Sequence, residues 1–158
     1  MPALEVGAKA PDFELTDTEG KKVHLYDVLK EGKPVILAFY PAAFSPVCGD
    51  EMSLFQETLG EFERLGARIV GISVDNYWSV AAFAKAKGIK YPLLSDFHPK
   101  GAVARKYGVM RDDGIAERAL FIIDPGGTVR YSYVSPILEN PGADRLLEAL
   151  EQMRAVRA

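Results

Sequence analysis

Apolar positions fall along the chain in two periods. Val35-Ile-Leu-Ala-Phe-Tyr40 is a continuous apolar run rich in β-formers, the pattern of a strand buried on both faces. Ile69-Val-Gly-Ile-Ser-Val74 and Ala119-Leu-Phe-Ile-Ile123 repeat it. Between the first two runs, Met52, Phe55, Leu59 and Phe62 follow spacings of three and four, which predicts one helix from Ser45 closed by Gly66. Ser79 to Lys87 reads as a helix ended by Gly88, Gly101 to Tyr107 as a shorter one ended by Gly108, and Asp144 to Met153 as a closing helix. Phe13–Leu15 and Val23–Leu25 flank a polar, Gly-containing turn and predict a hairpin. Asp124-Pro-Gly-Gly127 turns the third buried run into a strand over Val129–Val134.

Alternating strands and helices predict an α/β fold with a central mixed sheet and helices on both faces, joined by a right-handed crossover between the first two buried strands. Function in such sheets sits at the carboxyl end of a strand. Here that place is Tyr40 to Cys48.

Composition narrows the chemistry. A chain of 158 residues fits a single domain, 1–158. A net charge of −3 gives no case for nucleic acid or an anionic membrane. No apolar stretch reaches 18 residues and the start lacks an apolar targeting core, so neither a membrane span nor a signal peptide is expected, and the expected location is cytoplasmic. One cysteine rules out an internal disulfide, and with two distant histidines it rules out the usual zinc frameworks; no metal or cofactor is expected.

Ser45 followed by Pro46 has the pattern of an N-cap and an N1 proline, which puts Val47 at N2 and Cys48 at N3. A sulfur there faces unpaired N–H groups and the positive end of the helix dipole. Thiols so placed ionise in the range of roughly 3.5–7.5. A lone cysteine is also commonly a small buried hydrophobe. On the residues alone both readings stand.

Pro41-Ala-Ala-Phe-Ser45-Pro-Val-Cys48 resembles the PxxxTxxC signature of the peroxiredoxins, with serine for the usual threonine. Gly7–Phe13, Gly71–Asp75, Tyr91–Phe97 and Arg118–Asp124 resemble further blocks of that family, so the likeness runs along almost the whole chain. Asp96 to Gly108 (DFHPKGAVARKYG), followed by Val109, is most similar to the one-cysteine alkyl hydroperoxide reductase E type.

The resemblance implies a thioredoxin-like fold and a thiol-dependent peroxidase, with Cys48 attacking a hydroperoxide and becoming a sulfenic acid. It implies that Arg118 holds the thiolate and polarises the peroxide, that the Val47 and Cys48 N–H groups receive the developing negative oxygen, that Ser45 accepts from the substrate, and that Pro41 shields the sulfur. The implied partners are a hydroperoxide and an external thiol or redoxin reductant. The implied assembly is a homodimer that associates further in some members. A lowered thiol pKa does not by itself explain a fast reaction. Moving from about 8.5 to about 6 raises the thiolate fraction at pH 7 roughly 30-fold. The weaker nucleophile costs roughly 10- to 18-fold in return. Alignment and stabilisation of the departing oxygen must supply the rest.

Other residues stay open. Glu51, on the same helix turn as Cys48, reads either as the group orienting Arg118 or as a solvated helix charge. Trp78 reads as a pocket or subunit contact, or as an ordinary aromatic at a helix start. Glu117 beside Arg118 leaves room for a surface ion pair. His24 and His98 read as structural, and Arg118 with the absence of an activating Asn or Asp pattern disfavours a cysteine hydrolase with His98 as base. Serine at position 45 removes any C-x-x-C motif and with it thioredoxin-type exchange. A redox-inert scaffold or holdase on the same fold is the alternative from another class.

Overall fold

The computed structural model describes residues 2–157. The elements run β1 (Glu14–Thr16), β2 (Lys22–His24), α1 (Leu25–Leu29), β3 (Val35–Phe39), α2 (Pro46–Glu57), α3 (Leu59–Arg64), β4 (Arg68–Ser73), α4 (Tyr77–Lys87), β5 (Leu93–Ser95), α5 (Ala102–Lys106), β6 (Arg118–Ile123), β7 (Val129–Ser135) and α6 (Asp144–Arg157). The strands form one sheet in the order β2-β1-β5-β4-β3-β6-β7. β3, β4 and β5 are parallel, β6 runs antiparallel beside β3, and β7 antiparallel beside β6. The mixed α/β sheet expected from the sequence is therefore present. Among the described residues, no helix is long and apolar enough to cross a membrane.

The three continuous apolar runs are central strands because side-chain alternation sends their residues to both faces of a covered sheet. Val35, Leu37 and Phe39 join Ala119, Phe121 and Ile123 on one face, where Leu25, Leu29, Val103 and Ala104 cover them from α1 and α5. Ile36, Ala38 and Tyr40 join Leu120 and Ile122 on the other, under Met52, Phe55, Phe62, Phe83, Leu146 and Leu150. Arg118 shares the parity of Leu120 and Ile122, so its side chain belongs to the second face. The register Phe39↔Ala119 then sets it beside the carboxyl end of β3, where the chain leaves the sheet toward Cys48.

Three features depart from the periodic reading. The helix expected from Ser45 to Gly66 is two helices meeting at Thr58. The Thr58 hydroxyl donates to the Leu54 carbonyl at 2.7 Å, the back-bonding that bends helices at threonine. Met52, Phe55 and Phe62 nonetheless share one buried face, so the apolar spacing survives the break. The other two features, α1 and β5, span five and three residues and are too short to leave a periodic signature.

Gly71 shows how tightly the second face is filled. A Cβ there would lie 2.6 Å from Leu93 Cδ2 and 3.4 Å from Tyr40 Cε1. Gly71→Val should overpack this layer at a cost of about 1–3 kcal/mol, lowering the melting temperature by roughly 2–12 °C. A thermal melt equal to wild type would show that Tyr40 and Leu93 give way freely.

Candidate active site

Ser45, with φ −70° and ψ 152°, is the N-cap of α2, and Pro46 is its first helical residue. Val47 and Cys48 therefore occupy N2 and N3, whose N–H groups have no intrahelical acceptor. The position of the cap is as expected, but its chemistry differs. The Ser45 side chain makes no capping bond; its hydroxyl is buried and has no partner among the described residues. That oxygen is left available to something in the adjacent cavity.

Cys48 is 0% exposed. Arg118 Nη1 donates to its sulfur at 3.2 Å and to Glu51 Oε1 at 2.8 Å. Arg118 Nε and Nη2 both donate to the Ile137 carbonyl, at 3.0 and 2.8 Å, in the loop after β7. The guanidinium is thus locked by three elements: its own strand β6, the loop after β7, and α2. At 2% exposure Arg118 is not the surface partner of Glu117, which instead lies 3.4 Å from Arg111.

Glu51 is fully buried, so the solvated-charge reading fails and the orienting contact to Arg118 is the one observed. Its second oxygen, Oε2, has no partner. Burial pushes the carboxyl from 4.5 up to about 7, against the downward pull of the Arg118 hydrogen bond and charge. Tyr40, at the end of β3, is also fully buried with an unpartnered hydroxyl, and burial raises its pKa far above the ordinary phenol value.

The loop between β3 and α2 is clamped from β4. Asp75 Oδ2 accepts from the Ala43 N–H at 2.7 Å and from the Ser73 hydroxyl at 2.8 Å. Phe44 holds φ +66°, a left-handed conformation strained for a bulky residue, and its ring packs edge-on against Phe83 at 5.3 Å. A cavity of about 210 Å³ opens beside this loop, lined by Pro41, Ser45, Pro46, Val47, Ile115, Arg118, Ile137 and Leu138. Apart from Ser45 and Arg118 its walls are apolar. Cys48 does not line it; Arg118 both lines the cavity and contacts the sulfur.

The structure thus gathers Pro41, Ser45, Cys48 and Arg118 into one place and adds Glu51. Trp78 lies elsewhere: it is the second residue of α4, 69% exposed, stacked on Tyr77 at 4.3 Å. It lines a separate groove with His98 and Phe97. His24 caps α1 and sits 2.7 Å from Glu14. Neither histidine lines the cavity beside Cys48. The sequence reading assigned no part to Tyr40, Asp75, Ile137 or Leu138. An acid directly after a buried strand and an apolar pair in a post-strand loop were the only signals available.

Residues 6–132 match the AhpC/TSA family. The chain belongs to that family. Alkyl hydroperoxide reductase E of Mycobacterium tuberculosis is 39% identical over 130 residues, which is 82% of this chain and 84% of the relative. A chloroplastic 2-cysteine peroxiredoxin of Chattonella marina is 36% identical over 96% of this chain and 82% of its own. The crystal structure of peroxidoxin BcpB from Mycobacterium tuberculosis superposes with a TM-score of 0.86 and 36% identity, covering 98% of this chain and 99% of that one. The fold is therefore thioredoxin-like, of the peroxiredoxin kind, and the protein is a thiol-dependent peroxidase. Its single cysteine fits a one-cysteine mechanism.

The raised Glu51 pKa carries a stability signature. The native state holds this proton where the unfolded chain has already released it. The stabilising contribution is complete below about pH 4.5 and is lost as pH rises through about 7. The melting temperature of wild type minus that of Glu51→Gln should fall across this window and level off above it. A difference that is constant or rises with pH would contradict the burial argument.

Proposed function

We propose that Cys48 is the sulfur at which this peroxidase reduces hydrogen peroxide and organic hydroperoxides, with Arg118, Ser45 and Pro41 completing the site. The observation that carries the reading is the 3.2 Å contact of Arg118 Nη1 with Cys48 Sγ, beside a cavity into which the Ser45 hydroxyl is unpaired. The thiolate attacks one peroxide oxygen and a sulfur–oxygen bond forms. The O–O bond breaks with its electron pair on the departing oxygen, which takes a proton and leaves as water or alcohol. The sulfur is left as a sulfenic acid. Arg118 and the Val47 and Cys48 N–H groups stabilise the charge on the departing oxygen. Ser45 accepts the hydrogen bond of the hydroperoxide, and Pro41 walls the sulfur from bulk water.

The sulfenic acid has no second cysteine to meet in its own chain. An external thiol attacks its sulfur and expels water, giving a mixed disulfide. A further thiol releases Cys48 and is itself oxidised to the disulfide. The cytoplasm, where such reduced thiols abound, is the compartment we assign. We assign a homodimer as its assembly; the exposed Trp78 and Phe97, lining one groove, offer apolar surface for a subunit contact.

The apolar walls of the cavity favour hydroperoxides that carry a hydrocarbon group. Leu138, 82% exposed at the mouth, is the residue such a group meets first. Leu138→Asp should lower the ratio of the cumene hydroperoxide rate to the hydrogen peroxide rate by about tenfold. That is the loss of one or two methylene contacts at about 0.8 kcal/mol each. An unchanged ratio would remove Leu138 from substrate recognition.

Intact-mass and Trp78 fluorescence measurements with stoichiometric peroxide test the whole reading, because conversion of Cys48 to a sulfenic acid adds one oxygen that Cys48→Ser cannot gain there. Wild type should gain it, Cys48→Ser should not, and Arg118→Ala should gain it more than tenfold more slowly, one preorganised donor being worth about 10²–10³. Wild type that gains no oxygen would favour the redox-inert scaffold. An unchanged rate in Arg118→Ala would remove that residue from the chemistry.

A further inference from the structure

Two acidic groups share one cation in this site. Arg118 Nη1 points one N–H at Cys48 and the other at Glu51, and its remaining contacts go to a neutral carbonyl. Among the described residues no second cation touches either acid. The other titratable groups facing Glu51 are Tyr40 from β3 and Tyr91 from the segment before β5, and burial holds both phenols neutral. The Tyr91 hydroxyl is engaged with the Met52 carbonyl at 2.8 Å. Asp75 adds a further negative charge on the side of Tyr40. A thiolate and a carboxylate together would leave this dry pocket one charge in excess of its single guanidinium, an arrangement that low dielectric disfavours.

We propose that Glu51 is the proton store of the site: Cys48 and Glu51 hold one proton between them, kept on Glu51 while the sulfur is a thiolate. The proposal rests on Cys48 being the reacting sulfur. Position decides which acid keeps the proton. Cys48 stands at N3, facing the unpaired N–H groups of α2, whereas Glu51 lies three residues further on and outside that field. Glu51 Oε1 still accepts from Arg118 in a neutral carboxyl, and Oε2, the atom with no partner, is free to carry the hydrogen. The upward push of burial on this carboxyl acts in the same sense.

The store balances the reaction. When sulfur bonds to the peroxide oxygen, its negative charge passes to the departing oxygen, and Arg118 no longer faces a thiolate. Glu51 then gives up its proton and becomes the carboxylate opposite Arg118. The departing oxygen gains one proton in net and leaves as water or alcohol. The site carries zero net charge before and after. Glu51 acts through Arg118 and the proton balance; it is a positioning residue that need not touch the peroxide.

The test counts protons. At about pH 8, where a Glu51 facing a neutral sulfur is ionised, stoichiometric peroxide is mixed with reduced protein beside a pH-indicator dye while intact mass follows the added oxygen. Wild type should take fewer protons from the buffer than Glu51→Gln, the difference approaching about one per sulfur oxidised. The infrared difference spectrum of wild type should lose a protonated-carboxyl band as the sulfenic acid forms. That band should be missing from Glu51→Gln and moved in frequency in Glu51→Asp, the variant that serves if the first does not fold. Oxygen gain with equal proton uptake and an unchanged carboxyl band would overturn the proton store and leave the peroxidase reading intact. Absence of oxygen gain would overturn the Cys48 reading and this proposal with it.

Discussion

Burying an arginine is the constraint to which the rest of this structure is fitted. A guanidinium at 2% exposure has lost its water, and each N–H left idle there would cost free energy. Arg118 meets the demand with one backbone carbonyl for two of its nitrogens and two acidic side chains for the third. Breaking such a set by removing one member leaves an uncompensated buried charge, a loss of about 3–5 kcal/mol in comparable cases. The two acids come from one turn of one helix, and the carbonyl from a loop at the far edge of the sheet. Those pieces must arrive together for any of them to be stable in place.

Strand parity and register bring them together. The antiparallel pairing of β6 with β3 sets Arg118 one residue beyond Phe39, at the height where the chain turns out of the sheet. The same parity turns its side chain toward the face that α2 covers. Asp75, at the end of the neighbouring parallel strand, fixes the exit loop through the Ala43 N–H. Phe44 pays for the sharpness of this turn with a left-handed backbone that a phenylalanine does not favour. Cys48 then falls at N3 of α2 because Ser45 and Pro46 fix where the helix starts.

Much of this frame was legible in the sequence for identifiable reasons. Six-residue apolar runs and Gly-closed amphipathic segments repeat a period often enough to be read, so β3, β4, β6 and α4 stand where expected, within a residue or two. The serine–proline pair located the first turn of α2. The contact of Arg118 with Cys48 across 70 positions was different: periodicity carries no register, and only likeness to a family pointed to that arginine. Glu51 could not be assigned because a carboxylate three residues beyond a cysteine looks the same whether α2 turns it inward or outward. The Ile137 carbonyl was beyond reach in principle, since a backbone acceptor leaves no mark in residue identity. Ser45 was placed correctly at the helix start, but the capping bond that its position suggested is absent and its buried hydroxyl has no partner among the described residues.

The two half-reactions of a one-cysteine peroxidase make opposite demands on this helix turn. In the proposed reaction, reduction of a peroxide calls for a sulfur that is dry, aligned and pressed against Arg118, and a cavity of about 210 Å³ that Arg118 lines lies beside it. Reduction of the resulting sulfenic acid calls for a second sulfur in bonding contact with Cys48, which has no exposed surface at all. Without a cysteine of its own to bring inward, the protein is restricted to thiols slender enough to follow the peroxide's path, or it must turn the first turn of α2 outward. The segment that would have to move is the one already holding the strained Phe44, and the ring of that residue is anchored through Phe83 while more than half exposed. In the proposed reaction, conversion of a Cys48 thiolate to a neutral sulfenic acid also removes the charge facing Arg118. Oxidation therefore loosens the contact that attack by peroxide had required.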